Sequence, residues 1–490
     1  MEIPLRVTVR YVSIDQRSHR HLMEKNAGLA PIINGSQRVS DNYGRYALPK
    51  MNILLINPPN CGRSIPEEKY GITRIKMIFR GEPLSLETLA GNLGGHPVAI
   101  VDLKADPLGL SPERLPFAPD VVGLTGVTCE ANTVLAISEE LKARFGAVVV
   151  VGGHHASCDP GFFSRPYVDY VVVGLGKLSF RQLIDTLEAG GKPDIPGILN
   201  IREGVQESFT PRCYTTADLV DDRPPRYDLV QQHRDTYVMT GVGGKTGFVA
   251  SAFGCTHSCA FCCIPNMTEN RYLLHSNASV VRDVMALGDV NTIRLVDANT
   301  FGNVGMASDL ADRLIQAGVR KPLVADVRSD TVVRNPGLFE RWRKAGLAVA
   351  VIGFEEISDQ RLSQLNKRNT IQTNIEATRT LKTLGIRIVG DFIVSPDYEE
   401  ADFERLETFI QQSDIDLPIP AILTPIPGTP LYERMQSHII IDNLDYYTFT
   451  NAVVATQMAE AHFYQRYAGL LEHCLSHLHS GGSHGGKEND

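Results

Sequence analysis

The run Phe248-Val249-Ala250-Ser251-Ala252-Phe253-Gly254-Cys255-Thr256-His257-Ser258-Cys259-Ala260-Phe261-Cys262 sets an apolar, strand-like segment directly before three cysteines in CxxxCxxC spacing. Three thiolates thus converge within eight residues. An iron–sulfur cubane takes four ligands, so three protein thiolates leave one iron open. A structural zinc site closes instead with a fourth Cys or His. Cys263 is adjacent to Cys262 and points elsewhere if Cys262 ligates, so it reads as a free buried thiol and not as a fourth ligand. Disulfide frameworks go with even cysteine counts in secreted chains, and this chain has nine.

Working outward, 490 residues exceed one ordinary core, and two or three domains are expected. With 43% apolar and 21% charged residues the composition is that of a globular protein. A net charge of −8 argues against a nucleic-acid partner reached by electrostatics. The opening Met1-Glu2-Ile3-Pro4-Leu5-Arg6 lacks the apolar core of a secretory signal. A reducing cytoplasm is therefore the expected location, with cysteines serving as ligands or free thiols. No apolar run approaches the roughly 20 residues of a membrane-spanning helix. Peripheral contact with the inner membrane stays compatible, because a lipid substrate leaves no mark on composition.

Residues 1–50 carry mixed charge without a period and are expected to be a flexible extension. From 51 to 190, strand-like runs at 52–57, 98–103, 120–125, 147–152 and 168–173 alternate with amphipathic stretches such as 130–145 and 177–189. Near-continuous Val/Ile/Leu strands alternating with helices predict a parallel, doubly wound, Rossmann-like sheet. Ligands of such sheets sit outside the carboxyl ends of the strands. Those ends are Asn57-Pro58-Pro59-Asn60, Thr125-Gly126-Val127-Thr128, Gly152-Gly153-His154-His155 and Gly174-Leu175-Gly176. Residues 191–245 are irregular and proline-bearing and are expected to be a linker, with Asp221-Asp222-Arg223-Pro224-Pro225 inside it. A second βα series over 246–430 has strands expected at 247–252, 292–297, 322–327, 348–353, 387–394 and 420–424. Six such units suit a partial (β/α)6 barrel. A small, mainly helical region is expected over 431–480, and a Gly/Ser/His-rich disordered tail over 481–490. The fold class is α/β throughout.

The cysteine loop after the first strand of this series resembles that of the radical S-adenosylmethionine (SAM) superfamily. The resemblance implies that Cys255, Cys259 and Cys262 hold a [4Fe–4S] cluster whose open iron binds the amino and carboxylate groups of SAM. It implies that Phe261 packs near the adenine; the plain alternative is a loop aromatic filling space. Asp297, in Val296-Asp297-Ala298-Asn299, ends the second barrel strand. It either faces the SAM or substrate cavity or is a strand-end turn residue. Arg328, in Ala325-Asp326-Val327-Arg328-Ser329-Asp330, suits the SAM carboxylate through charge-assisted hydrogen bonds. Its competing reading is a surface salt bridge. Glu355, in Ile352-Gly353-Phe354-Glu355-Glu356, matches a family glutamate that accepts the ribose hydroxyls of SAM. Glu356 replaces the family's usual small residue, and Asn366-Lys367 continues the pattern along the next helix. Phe392-Ile393-Val394-Ser395-Pro396 carries Ser395 where the family normally has glycine. Leu423-Thr424-Pro425-Ile426-Pro427-Gly428-Thr429-Pro430-Leu431-Tyr432 matches the family's last-strand signature.

With a doubly wound domain in front, residues 52–470 resemble the cobalamin-dependent, class B radical SAM methyltransferases. Their first domain holds cobalamin, which here would lie over Thr125, Gly126, Val127, Thr128, Gly152, Gly153, His154, Gly174 and Gly176. The Asp-x-His-x-x-Gly motif that supplies a lower axial His is absent, so the cofactor would be bound base-off. Gly174-Leu175-Gly176-Lys177 stands where relatives often have Gly-Glu-Gly-Glu. The stretch from Leu423 to Tyr432, with Asp445-Tyr446-Tyr447-Thr448-Phe449-Thr450-Asn451-Ala452-Val453, looks most like the hopanoid C-3 methylases. The resemblance then implies a hydrophobic small-molecule substrate and an electron donor such as flavodoxin or ferredoxin. SAM would be both radical source and methyl donor, with methylcobalamin delivering the methyl group to an unactivated carbon. A methylase or oxidative cyclase acting on a tetrapyrrole or other secondary metabolite shares every motif. A non-enzymatic cobalamin or iron–sulfur carrier is the third reading.

Overall fold

The computed structural model describes residues 50–73, 75, 81–106, 108–219, 223–239 and 243–480. The expected tail over 481–490, and all of the expected extension except Lys50, lie outside these residues.

Seven strands build the first sheet: β1 (Ile53–Asn57), β2 (Val98–Asp102), β3 (Val121–Leu124), β4 (Val148–Val151), β5 (Tyr170–Val172), β6 (Ile198–Arg202) and β7 (Val205–Ser208). Their order is β2-β1-β3-β4-β5-β6-β7. β1 to β5 run parallel. Ile53 and Leu55 pack into one apolar cluster, Leu54 and Ile56 into the other. Both faces are thus covered, which is why these strands read as unbroken apolar runs. The order reverses at β1, and the ligand crevice of such a sheet lies outside the carboxyl ends at that point.

The stretch expected to be a linker is largely folded. β6 and β7 form an antiparallel hairpin that extends the sheet beyond β5. Ile198, Leu199 and Ile201 are buried, whereas β7 is exposed along its whole length. A polar outer strand carries no hydrophobic period, so the hairpin left little trace in the sequence. A 3-10 segment, Tyr227–Thr236, then buries Tyr227, Val230 and Arg234. Just after it, Tyr237 Oη donates to Asp102 Oδ2 at 2.8 Å, and Asn57 Nδ2 donates to the other oxygen at 2.8 Å.

The second sheet starts at β8 (Thr246–Val249). A short antiparallel pair, β9 (Ala252–Phe253) and β10 (Leu273–Leu274), brackets the cysteine loop. Five more strands follow: β11 (Thr292–Leu295), β12 (Leu323–Val327), β13 (Leu347–Glu355), β14 (Arg387–Val394) and β15 (Leu417–Ile422). They lie side by side with β8 in chain order, all parallel. β8 and β15 are the two edges, so the six-stranded barrel is open. Helices such as Pro336–Ala345 and Ile371–Thr383 cover its outside. There Trp342 is fully buried and donates to Ala307 O at 2.9 Å. Inside, Val324, Val349, Val351, Val389 and Leu417 form a small apolar floor.

The C-terminal region holds the two sheets together. In its long helix, Glu460–Ser480, Tyr467 Oη donates to Pro420 O of β15 at 3.0 Å. Asn451, fully buried, accepts from Ile65 N and donates to Arg63 O, both at 2.8 Å. One side chain thereby pins the C-terminal segment to the loop after β1. No helix among the described residues is long and apolar enough to cross a membrane.

Candidate active site

The cysteine loop leaves β9 at Gly254, whose φ is +78°. A Cβ there would stand 2.0 Å from Arg271 O, so only glycine fits at the residue before Cys255. Asp297 braces the same turn. Its carboxylate accepts from Ser251 N at 2.7 Å and Ala252 N at 2.8 Å, and also from the Ser251 hydroxyl. Burial raises its pKa against these hydrogen bonds. Both oxygens are therefore committed to shaping the loop. On the far side Ala260 N donates to Leu365 O at 2.9 Å, and Asn366 Nδ2 donates to Ser258 O at 2.7 Å.

Cys255, Cys259 and Cys262 are half-buried within this frame, and Phe261 is half-buried beside them. Burial lifts the Cys259 thiol above its ordinary value and pushes Cys262 up to about 12, with Cys259 and Cys255 adding to the latter. Such thiols become thiolates when a metal replaces the proton. The three thus fit a cluster that supplies the compensating charge. Cys263 is a free thiol, half-buried where a buried one was expected. It shares a hydrogen bond with Cys158, at the end of the helix His154–Cys158 of the first domain. Asn266 Nδ2 donates to Gly428 O at 2.8 Å and lies 3.9 Å from Cys158 Sγ.

The carboxyl end of the barrel gathers charge. Glu355 ends β13 in the left-handed region, φ +65°, and Lys367 Nζ meets its Oε1 at 2.6 Å. A non-glycine residue held there is strained, and such strain gathers at functional sites. Burial works against the Lys367 charge, but Glu355 and Cys259 raise its pKa overall. Arg328 is buried, not the surface cation of the competing reading. Its Nε lies 3.0 Å from Asp330 Oδ1, and Nη2 donates to Lys367 O at 3.0 Å. Arg328 therefore fixes the turn that carries Lys367. Glu356 points away from the lumen: Tyr398 Oη donates to it at 2.9 Å, and burial raises its pKa to about 7.

In the first domain, Thr125, Gly126, Val127 and Thr128 follow β3, and Gly152, Gly153 and His154 follow β4. A Cβ on Gly153 would lie 2.6 Å from Thr125 Oγ1, so the two loops touch. Val127 and His154 are exposed at this edge. Burial nonetheless lowers the His154 pKa. Gly152 has nothing closer than 3.5 Å to a Cβ, and neither has Gly176. Gly174 differs, since a Cβ there would meet Tyr214 Oη at 2.1 Å. Its lack of a side chain is explained by packing under Tyr214. Gly152 and Gly176 thus leave the backbone of this edge open to a close-lying ligand, and the loop after β1 carries no histidine.

Comparison with known proteins agrees with this geometry. Residues 249–410 match the model of the radical SAM superfamily, and residues 72–184 match that of the B12 binding domain. An uncharacterized methyltransferase of Pyrococcus horikoshii is 30% identical over 417 residues, 82% of this chain and 86% of the relative. The chain belongs to the cobalamin-dependent radical SAM methyltransferases. A [4Fe–4S] cluster, SAM and cobalamin are the cofactors of this methyltransferase. The hopanoid C-3 methylase of Methylococcus capsulatus is 25% identical over 403 residues, covering 79% of this chain and 75% of that one. Among solved structures, TsrM of Kitasatospora setae superposes with a TM-score of 0.64 at 16% identity, over 90% of this chain and 93% of that one. OxsB superposes at 0.65 with 16% identity, over 84% and 65%. At such identities the likeness is one of fold.

Proposed function

We propose that this methyltransferase adds a methyl group to an unactivated carbon of a polycyclic hydrophobic substrate, C-3 of a bacterial hopanoid. The observation that carries the reading is the segment from Tyr446 to Val453, which looks like that of the hopanoid C-3 methylases and lies where the carboxyl ends of the two sheets meet. Its Phe449 is exposed, and Phe449 O accepts from Ile422 N, the end of β15, at 2.7 Å. Val127 after β3 and Val296 after β11 are exposed apolar residues at the same edges. Relatives of about equal identity act on bacteriochlorophyllide d or close a ring of magnesium-protoporphyrin monomethyl ester.

When bound, the cofactors supply one-electron cleavage of SAM and a cobalt-borne methyl group. The chain's own residues are assigned as follows. Cys255, Cys259 and Cys262 hold the cluster. Phe261, Arg328 and Glu355 order SAM, Arg328 through the turn of Lys367 and Glu355 directly. Asp297 supports the loop beneath them. Thr125 to Thr128, Gly152, Gly153, His154 and Gly176 cradle cobalamin, with Gly174 shaping that edge from below. A ferredoxin- or flavodoxin-type protein delivers the electron. Deleting the gene and profiling lipids and pigments tests the substrate: loss of 3-methylated hopanoids alone is expected, and an unchanged hopanoid profile refutes it. Methyl-labelled SAM separates methylation from oxidative cyclisation, which leaves no label in the product.

A further inference from the structure

Among the described residues, Asp391 is a barrel carboxyl with no hydrogen bond or ion pair. Asp391 lies on β14 on the same face as Val389, one layer above the apolar floor. In register it stands between Gly353 of β13 and Ile419 of β15. Gly353 contributes no side chain, and the space a Cβ would take there is occupied by Glu355 Oε1 at 2.2 Å and Lys367 Nζ at 2.9 Å. Asp391 therefore looks past Gly353 onto the Lys367–Glu355 pair. It retains some accessible surface, yet makes no hydrogen bond or ion pair among the described residues.

The charged groups facing Asp391 are Glu355 from β13, Asp326 from β12, Arg294 from β11 and Lys367 from the turn below β13; β15 contributes no ionisable group there. Both cations are already used. Lys367 is paired with Glu355, and Arg294 with Asp326. Asp391 is the carboxyl left over. Burial, then Glu355, then Asp326 push its pKa up to about 8. An unpartnered polar group enclosed in a protein calls for an explanation. Here the missing partner is a cation, and the cation that the proposed SAM site receives is a sulfonium.

We propose that Asp391 is the charge-selecting residue of the SAM site: its carboxyl loses a proton to solvent as SAM enters and thereafter compensates the sulfonium charge. The balance is one Asp391–COOH and one SAM giving one carboxylate paired with SAM and one proton in the buffer. The neutral thioether S-adenosylhomocysteine, left when SAM gives up its methyl group, does not drive this ionisation. The chain thus tells fresh SAM from spent cosubstrate by charge. This rests on the reading that SAM binds at Glu355 and the cluster, where proton loss from the SAM amino group adds a background that Asp391 does not control.

The test is calorimetric titration of the anaerobic, cluster-loaded enzyme with SAM and with S-adenosylhomocysteine, in buffers of different ionisation enthalpy at about pH 7. Asp391→Asn is expected to release about one proton fewer per SAM than the native enzyme, and an equal number with S-adenosylhomocysteine. Native affinity for SAM should rise roughly tenfold between about pH 6.5 and about pH 8.5 beyond any rise seen in the variant. Within the native enzyme alone, SAM should release more protons than S-adenosylhomocysteine, a comparison that does not depend on the variant folding. Equal proton release by both ligands and both proteins would overturn the assignment while leaving the SAM site standing. Absence of SAM binding to the native enzyme would overturn the site itself.

Discussion

Lys367 Nζ lies 2.6 Å from Glu355 Oε1, and both side chains are about nine-tenths buried. The pair joins the end of β13 to the turn that Arg328 holds, and Lys367 also faces Cys259 of the cluster loop. One ion pair thus connects the edge of the barrel proposed to bind SAM with the cysteine loop.

Removing one partner of a buried ion pair leaves the other charge uncompensated, at about 3 kcal/mol or more. Lys367→Met is therefore expected to lower unfolding stability by about that amount and to weaken SAM binding. The double variant Lys367→Met/Glu355→Gln should recover much of the stability but not the SAM affinity. Denaturant unfolding and equilibrium binding read the two separately; additive stability losses would show that the pair is not coupled.

Cys263 is distinguished from its neighbours by its bond to Cys158. Cys255→Ala, Cys259→Ala or Cys262→Ala should each remove most of the iron and the charge-transfer absorbance of the reconstituted protein. Cys263→Ala should keep both. Iron loss in that variant equal to the other three would place Cys263 among the ligands.

Glu356 is a carboxyl whose pKa burial raises from 4.5 to about 7. The folded state therefore binds its proton more tightly than the unfolded state. The stability this contributes is complete below about pH 4.5 and is lost as pH rises through about 7, at about 1.4 kcal/mol per pKa unit. Glu356→Gln should be indifferent to that window. Thermal melts are expected to show the variant gaining on the native enzyme between about pH 5 and about pH 8; parallel curves would refute the shift.

Phe449 keeps φ at +63° with its ring exposed. A bulky residue in that region is strained by about 1 kcal/mol or more, and glycine is not. Phe449→Gly should consequently leave melting temperature unchanged or raise it, while methylated product per 5′-deoxyadenosine falls severalfold. A variant that loses stability and keeps this ratio would assign Phe449 to folding instead of substrate contact.

Several elements were legible in the chain because their signals are local. Buried parallel strands need apolar residues on both faces, so β1, β3, β4, β12 and β13 stand out as runs of Val, Ile and Leu. The CxxxCxxC loop is contiguous, so its resemblance to the radical SAM superfamily can be read without the fold. The β6–β7 hairpin was hidden because its outer strand meets water along its length. Asp297 and Arg328 were seen as candidates, but no sequence could tell that one is consumed by Ser251 and Ala252 and the other by the turn of Lys367.

By itself, then, the sequence determined two βα series, their order, the CxxxCxxC loop proposed to hold the cluster, and a B12 binding domain that lacks the Asp-x-His-x-x-Gly motif. The tertiary structure decided which charges meet. Lys367 finds Glu355, Cys263 finds Cys158, and Asp391 has no hydrogen bond or ion pair among the described residues. Pairing depends on the register between β13 and β14 and on how the turn after Gln364 folds back. Coulomb interactions act through space, and their partners lie far apart along the chain.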